Sequence, residues 1–444
     1  MCHQGYAPTT VENYRMTRAN PQPERDGRAN GNALSAYYFF SLAALGFVVG
    51  FMPLYLRARG ITLSQYGILS ALYAIAGAAT QIPLGVLSDR LRRRRPLVVL
   101  GTAALGGSYL LYGMATTFAE FCALYTLSGV VFFAVSTLTS ALIHDWTAGT
   151  GGTAAMYGRT RIWGSIGFIA SLLVVSAVPS LVSGKNLLPF IAGLFLASGV
   201  TILFTVESDT STPREHARVT GIRRLLGNRN LVLFLAAFLL YRTAESSTMS
   251  YLSLYLQSLG GSKSLIALAL VVNAVVEIPF MIWVGRASDR IGRRPPLVIA
   301  FLTLPLRLFL YSQLRTPYDV FLVQMFHGLT FSFMLVSSMA FVADSSAGDR
   351  ATGQGLLTMV MATSMAVGPF VGGFVADRTS LSAMYGLFAI VALVGGLIFV
   401  TFVRESHPDL AADKFRILLT SGSLPARMIR RTLRAPIVTI AGKD

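Results

Sequence analysis

The sequence predicts an all-α integral membrane protein with twelve transmembrane helices in two six-helix pseudo-symmetric halves. Hydrophobic residues make up 53% of the 444 positions and charged residues only 13%. A soluble protein of this length would need more charge to cover its surface. About twelve apolar stretches approach the roughly 20 residues that cross a bilayer, and such segments satisfy their own backbone only as helices.

The first half is assigned to residues 34–206. An N-terminal tail, 1–33, precedes it, and the tail's many charged residues and low apolar content predict disorder in the cytoplasm. The apolar cores of the six spans lie near 34–56, 65–87, 96–115, 118–143, 160–181 and 187–206.

The second half is assigned to residues 230–403. A polar central loop, 207–229, separates it from the first half and fits either a surface helix or a flexible linker. A basic tail, 404–444, follows, and it is expected to lie at the membrane interface or to be disordered. The span cores lie near 230–257, 264–285, 296–314, 318–343, 354–376 and 381–403.

The distribution of arginine predicts the orientation. Arginines cluster between spans two and three, between spans six and seven, and after span eight. Cytoplasmic loops carry an excess of Lys and Arg. Both termini and the central loop are therefore predicted to be cytoplasmic, in a multi-pass protein of the cell membrane that functions as a monomer.

Composition argues against other classes of protein. The net charge of +17 does not indicate nucleic-acid binding, because the arginines fall between apolar runs and form no basic face. Cys2 and Cys122 offer neither a disulfide framework nor metal-ligand spacing. Without a Ser/His/Asp set or a phosphate-binding glycine loop, no enzymatic activity, cofactor or metal is expected. The expected partners are a small-molecule solute, protons and the lipid bilayer.

Two stretches repeat at an offset of two hundred residues. "QIPLGVLSDRLRRRRPLVVL" occupies 81–100 and "MIWVGRASDRIGRRPPLVIA" occupies 281–300, while "PLYLRARG" at 53–60 matches "SLYLQSLG" at 253–260. Recurrence in register predicts two copies of one six-helix unit in parallel orientation.

The repeated loop resembles the signature of the major facilitator superfamily of secondary transporters, which runs roughly Gly-x-x-x-Asp-Arg-x-Gly-Arg-Arg. "YGRTRIWGSIGF" at 157–168 and "HGLTF" at 327–331 resemble the branch with the oligosaccharide, nucleoside and aromatic-acid proton symporters. The resemblance covers nearly all of 34–403. The first copy departs from the signature, because Arg92 stands where the second copy keeps Gly292.

The resemblance implies a cytoplasmic gate of ion pairs that break as the halves rock. Gly85 and Gly285 are expected to admit a neighbouring helix, and the two loop aspartates lie one turn later beside guanidinium groups. The candidate gate residues are Gly85, Asp89, Arg90, Arg93, Asp145, Arg159, Gly285, Asp289, Arg290, Gly292, Arg293, Arg294 and Asp344.

Five ionisable residues fall inside spans of the second half. They are Arg242, Glu245, Glu277, Arg307 and His327. Charges within the membrane cost several kcal/mol on insertion scales and mark transport pathways by default. A polar network that only specifies helix packing is the alternative.

Position along the helices predicts how these groups pair. Arg242 and Glu245 are three residues apart and share a helix face. Counting from the hairpin turns at 1.5 Å per residue places Arg307 level with His327, and Glu245 level with Glu277.

The pattern is similar to that of the galactoside/proton symporters, in which helix nine supplies an arginine and helix ten a histidine. Arg307 and His327 match those positions. Thr330 stands where that family has a glutamate, so Glu277 becomes the first candidate for the proton carrier, ahead of Glu245.

Polar and aromatic residues in the spans are candidates for the cavity wall. The chief candidates are Gln81, Tyr38, Trp163 and Asn273, followed by Tyr37, Tyr109, Tyr112, Phe132 and Phe133. An apolar first half beside a charged second half favours a small, partly apolar solute with a polar handle.

The sequence therefore predicts a secondary transporter that moves a small organic solute by alternating access, with proton symport favoured. A proton-driven exporter of drugs or metabolites is the alternative within the class. A non-transporting receptor or partner subunit of the same fold is the alternative from another class.

Overall fold

The computed structural model describes residues 22–91, 94–149, 154–205 and 220–406. Only the backbone is described for 22–29, 82, 84–91, 144–145, 147–149, 154–159 and 220. The helices are α1 (Gln22–Ala58), α2 (Leu63–Leu91), α3 (Arg94–Leu111), α4 (Phe118–Gly149), α5 (Ala154–Ala177), α6 (Leu187–Ile202), α7 (Thr220–Leu226), α8 (Arg229–Ser258), α9 (Lys263–Ile291), α10 (Arg294–Ser312), α11 (Val320–Gln324), α12 (Phe333–Ser345), α13 (Arg350–Arg378) and α14 (Leu381–Phe402).

The all-helical membrane fold is confirmed. In the described part of the chain, nine helices are long and apolar enough to cross a membrane. Helices α2, α3 and the shorter apolar α6 occupy the other three predicted positions. The tenth crossing is irregular, because a π-helical turn, Gly328–Ser332, separates α11 from α12.

The two halves repeat one packing pattern. Helix α1 packs on α5, α2 on α4, and α3 on α6; in the second half α8 packs on α13, α9 on α12, and α10 on α14. The structure shows the same offset of two hundred residues, because α9 begins and ends two hundred residues after α2 does. Gly60 and Gly260, in the turns before these helices, have φ angles of 86° and 85°.

The bundle has two distinct ends. The end where α9 meets α10 carries the arginine-rich loops and is called the basic end; the end where α8 meets α9 is called the opposite end. Helices of different halves meet mainly as α2 with α13 and α5 with α9. Between described residues, every hydrogen bond that joins the halves lies at the opposite end.

Helix α1 begins earlier than the sequence predicts. Residues 22–33, assigned to the disordered tail, are helical, and Asn30 and Ala33 are buried. Gly31 lies against the Trp146 ring of α4, so packing on a second helix supports this polar extension. Residues 1–21 of that predicted tail lie outside the described part of the chain.

The predicted central loop and C-terminal tail are described only in part. Helix α7 occupies part of the central loop, and residues 207–219 lie outside the description. Residues 404–406 of the tail pack against the basic end, where Asn230 exchanges two hydrogen bonds with the Arg404 backbone. Residues 407–444 are not described.

Candidate functional site

A central cavity of about 530 Å³ lies between the two halves. Its volume is in the range that holds a small organic solute. Half of the lining residues from the first half are aromatic, namely Tyr66, Tyr73, Tyr109, Tyr112, Tyr125, Phe132 and Phe168. The second half contributes polar and charged side chains, namely Arg242, Glu245, Ser246, Ser250, Asn273, Glu277 and His327.

Arg242 and Glu245 form an ion pair on α8 at the cavity wall. The Arg242 and Glu245 side chains are only 15% and 4% exposed. The Glu245 Oε1 atom and the Arg242 Nε atom have no hydrogen-bond partner among the described residues. Both atoms are buried, and buried polar atoms are rarely left without partners, so they make this ion pair a strained polar element of the cavity wall.

Glu277 and His327 meet at the wall of the same cavity. The His327 Nε2 atom lies 3.8 Å from the Glu277 Oε2 atom, and the Glu277 side chain is 28% exposed. His327 immediately precedes the π-helical turn, and π-helical turns are frequent at functional sites. The Ser332 hydroxyl, from that turn, donates to the Glu277 carbonyl at 3.0 Å and so fixes α9 beside the histidine.

Arg307 lies behind the cavity wall and is only 1% exposed. Its guanidinium donates to four neutral oxygens, those of Thr330, Asn273, Tyr311 and Gln324, at 2.8 to 3.4 Å. Among the described residues, none of its partners is a carboxylate. Thr330, at the position where the galactoside symporters have a glutamate, is instead one of the four acceptors.

Arg161 of α5 faces Glu277 from the other half. The Ser264 hydroxyl donates to the Ser176 carbonyl at 2.8 Å and so joins α9 to α5 at the opposite end. Arg161 precedes Ser176 by fifteen residues and Glu277 follows Ser264 by thirteen, about 22 Å and 20 Å of helix respectively. Since α5 and α9 are antiparallel and in contact, the two groups lie at similar depth on facing helices of the two halves.

Of the four chief cavity candidates, the structure places Asn273 at the wall. Tyr38 is buried beneath the Arg161 guanidinium, which lies 5.4 Å from the ring centroid. Trp163 is 48% exposed on the face of α5 that also exposes Val174, three turns later, so it points away from the cavity. Gln81 is half-buried and is not among the described lining residues.

Among the other aromatic candidates, Tyr109, Tyr112 and Phe132 line the cavity, whereas Tyr37 and Phe133 are not among its described lining. Sequence reasoning missed three tyrosines, which are Tyr66, Tyr73 and Tyr125. A signal was present for two of them, because Tyr66 and Tyr73 are seven residues apart and share one face of α2. The same spacing relates Tyr125 to the candidate Phe132 on α4, so a signal was present for Tyr125 as well.

The described gate residues form a network within the second half. Arg293 Nη1 lies 2.5 Å from Asp289 Oδ1, and Arg293 Nε lies 3.0 Å from Asp344 Oδ2. The Arg294 guanidinium donates to the carbonyls of Val400 and Val403. These contacts bind the α9–α10 loop to α12 and α14 of the same half, not to the first half.

The glycines of this loop differ in their surroundings. Gly292 ends α9 with a φ of 97°, a conformation that favours glycine. A Cβ atom at Gly285 would meet none of the described atoms within 4 Å, so the described residues show no close helix approach there. Arg290 lies exposed on the last turn of α9.

The gate candidates of the first half are described less fully. Gly85, Asp89, Arg90, Asp145 and Arg159 lie on helices whose backbone alone is described at these positions, and Arg93 lies outside the described residues, as does Arg92. Sequence reasoning missed Glu405. Its carboxylate accepts hydrogen bonds from the backbone N–H groups of Arg293 and Arg294 at 3.0 and 2.9 Å, and so caps the start of α10.

Comparisons with known proteins agree on one family. Residues 32–387 match the family described as "MFS_1 like family". The maltose permease of Geobacillus stearothermophilus is 25% identical over 84% of this chain and 94% of the permease. The putative nucleoside transporter YegT of Escherichia coli (strain K12) is 23% identical over 84% of this chain and 95% of YegT.

A solved structure shares the fold. The crystal structure of nucleoside transporter NupG superposes with a TM-score of 0.73, over 83% of this chain and 98% of NupG, at 18% identity. At 18% sequence identity the similarity supports the arrangement of the helices but does not identify the solute.

Proposed function

Because the chain belongs to the MFS_1-like family of major facilitator transporters, we propose that it moves its small solute together with protons. The family consists of secondary transporters, not enzymes, so alternating access around the central cavity is the general mechanism. The single observation that carries the proton-coupled proposal is the partly exposed carboxylate of Glu277 beside His327 at the wall of that cavity.

Glu277 differs from Glu245 in how it is paired. Glu245 already holds the cationic Arg242 beside it on α8, whereas the described ion-pair partner of Glu277 within its own half is His327. A proton on Glu277 neutralises the carboxylate and removes its attraction to Arg161 in the first half. Protonation would thus change a force between the two halves, which is what coupling to alternating access requires.

The chemistry of the wall favours a neutral solute with a flat face and several hydroxyl groups. The tyrosine rings of the first half offer apolar faces and phenolic hydroxyls for a ring to pack against. The carboxylate of Glu245 and the amide of Asn273 offer hydrogen bonds to hydroxyl groups from the second half. A nucleoside or a small sugar meets both requirements, and the maltose permease and YegT are named for such solutes.

The basic end is proposed to face the cytoplasm, since arginine-rich loops stay on that side. Both chain termini would then be cytoplasmic, and the structure would represent the state closed towards the outside. One chain forms both walls of the cavity, which supports function as a monomer.

Proton flux in proteoliposomes tests this proposal. The purified full chain is reconstituted around an internal pH dye, and uridine, adenosine, maltose and a matched polyol are added in turn. Internal acidification that accompanies uptake of one solute class is the expected result. Alkalinisation during uptake would indicate exchange of solute for protons, and solute movement without any pH change would contradict proton coupling.

A further inference from the structure

A carboxylate of the second half binds the first turn of a helix in the first half. Asp377, near the end of α13, accepts a hydrogen bond from the Leu63 N–H at 3.1 Å and another from the Ser64 N–H at 2.7 Å. Leu63 and Ser64 are the first two residues of α2. The two helices belong to different halves, so this contact exists only while the halves are together at the opposite end.

Asp377 completes a cap that α2 begins for itself. Thr62 and Gln65 form a reciprocal capping pair, with the Gln65 N–H donating to the Thr62 hydroxyl at 3.1 Å and the Thr62 N–H donating to the Gln65 side chain at 3.0 Å. This pair leaves the backbone N–H groups of Leu63 and Ser64 without a partner in their own helix, and it is from these two groups that Asp377 accepts hydrogen bonds. An anion at a helix N-terminus is also favoured by the helix dipole.

The surrounding contacts hold α2 and α13 close together. The Tyr251 hydroxyl, from α8, lies 3.1 Å from the Leu63 carbonyl and 2.8 Å from the Pro369 carbonyl. A Cβ atom at Gly373 would overlap the Leu63 carbonyl and the Tyr251 hydroxyl, so only glycine permits this approach. Asp377, Leu63, Ser64, Tyr251 and Gly373 together are called the outer gate.

The repeat shows that the carboxylate cap of the outer gate is particular to one side. The equivalent hydroxyls of Ser64 and Ser264 donate to the carbonyls of Gly373 and Ser176, so the equivalent of Asp377 is the neutral Ser180, and the equivalent helix start is that of α9. Helix α9 is capped by its own Ser262, whose hydroxyl accepts from the Leu265 N–H at 3.2 Å. Its contacts with the first half run from the Ser264 hydroxyl to the Ser176 carbonyl and from the Lys263 ammonium to the Val182 carbonyl, so no carboxylate caps α9 across the interface.

We propose that Asp377 is the positioning residue that holds the outer gate shut, by capping α2 across the interface between the halves. Opening the outer gate replaces its two hydrogen bonds with bonds to water and separates an anion from a helix N-terminus. Asp377 therefore biases the transporter towards the state closed at this end, and no carboxylate caps the start of α9 in the same way.

Accessibility of a cavity thiol from outside tests the proposal. In a background of the full chain with Cys2→Ser and Cys122→Ala, the substitution Ser70→Cys places one thiol in the cavity. A membrane-impermeant thiol reagent is added to intact cells, and the labelling rate is measured with and without Asp377→Asn. Loss of one charged cap shifts a two-state equilibrium by roughly fivefold to tenfold, so labelling is expected to accelerate by about that factor.

A second variant and a matched control isolate the cap. Leu63→Pro removes one of the two N–H donors to Asp377, and it does so at the first position of α2, where proline is tolerated. This variant is also expected to accelerate labelling. Asp319→Asn removes a carboxylate that caps the Arg315 and Thr316 N–H groups at the same end but within one half, and is expected to leave labelling unchanged. Melting curves of each purified variant verify that it is folded.

Labelling at the unmodified rate in both Asp377→Asn and Leu63→Pro would overturn the proposal, as would equal acceleration in Asp319→Asn. The inference rests on the proposed function in one respect, namely that the opposite end faces the outside of the cell. Reversed orientation would be recognised by rapid labelling before any gate substitution. The assay requires neither solute nor proton gradient, so a failure of proton coupling would leave its result interpretable.

Discussion

Arg307 carries a permanent charge in a nearly unexposed position and makes its hydrogen bonds to neutral oxygens. A guanidinium distributes several donors over a rigid plane, whereas an ammonium concentrates three at one point. Tyr311 also donates to Gln324 at 2.9 Å, so the neutral groups are bound to one another as well as to the arginine. The arrangement requires the shape of arginine in addition to its charge.

Arg307→Lys is accordingly expected to lower the free energy of unfolding by about 2 kcal/mol, because lysine cannot reach all four oxygens and leaves buried acceptors unpaired. Thermal unfolding in detergent measures the effect as a fall in the melting temperature. Arg315→Lys, in the loop after α10, serves as the control and is expected to change little. An unchanged melting temperature for Arg307→Lys would contradict the structural role of the four contacts.

Arg161 is the residue through which the first half is proposed to respond to the proton on Glu277. Arg161→Gln removes the charge, so net proton-driven accumulation is expected to fall by at least tenfold while solute exchange across proteoliposomes is retained. Arg161→Lys keeps a cation at this depth and is expected to restore part of the accumulation. Equal losses of exchange and accumulation in Arg161→Gln would indicate a binding defect instead.

At the scale of single elements, the tenth crossing sets the distance between His327 and Glu277. Gly328 opens its π-helical turn, and a Cβ atom there would overlap the Phe280 ring of α9. Pro279 precedes that ring within the unbroken helix α9 and has no backbone N–H to donate to the preceding turn. The proline and the π-helical turn lie where the carboxylate and the imidazole meet.

Gly328→Ala is therefore expected to reduce transport by about tenfold, because the added methyl group pushes α9 away from the tenth crossing. Adding Phe280→Leu, which makes room for that methyl group, is expected to restore much of the loss. Gly355→Ala is a matched control on α13, since a Cβ atom there would meet none of the described atoms within 4 Å. Uptake of radiolabelled solute compares the three variants with the unmodified protein, and a failure of Phe280→Leu to rescue would refute the steric explanation.

Sequence reasoning succeeded where contacts are local or periodic. The span positions, the two-hundred-residue repeat and the Arg242–Glu245 pair follow from spacing along single helices. The four acceptors of Arg307 could not be predicted, because they come from three different crossings and are all neutral. The position of Trp163 on the outer surface also could not be predicted, because tryptophan is as common on lipid-facing surfaces as in cavity walls.

For the whole molecule, the proposed orientation predicts which loops face the outside. Gly184, in the open loop between α5 and α6, lies at the opposite end, and Ala347, exposed after α12, lies at the basic end. In a chain without other cysteines, Gly184→Cys is expected to react with an impermeant reagent in intact cells. Ala347→Cys is expected to react only after permeabilisation, and the reverse pattern would invert the proposed topology.

The whole molecule couples two halves through one cavity, and the central claim is that Glu277 carries the coupled proton. The deciding measurement compares solute exchange with proton-driven accumulation in proteoliposomes containing either the unmodified protein or Glu277→Gln. Glu120→Gln, at the exposed start of α4 and outside the described lining of the cavity, is the control. The account predicts that Glu277→Gln keeps exchange within about twofold and loses accumulation under a pH gradient. Accumulation at the unmodified level in Glu277→Gln would contradict it.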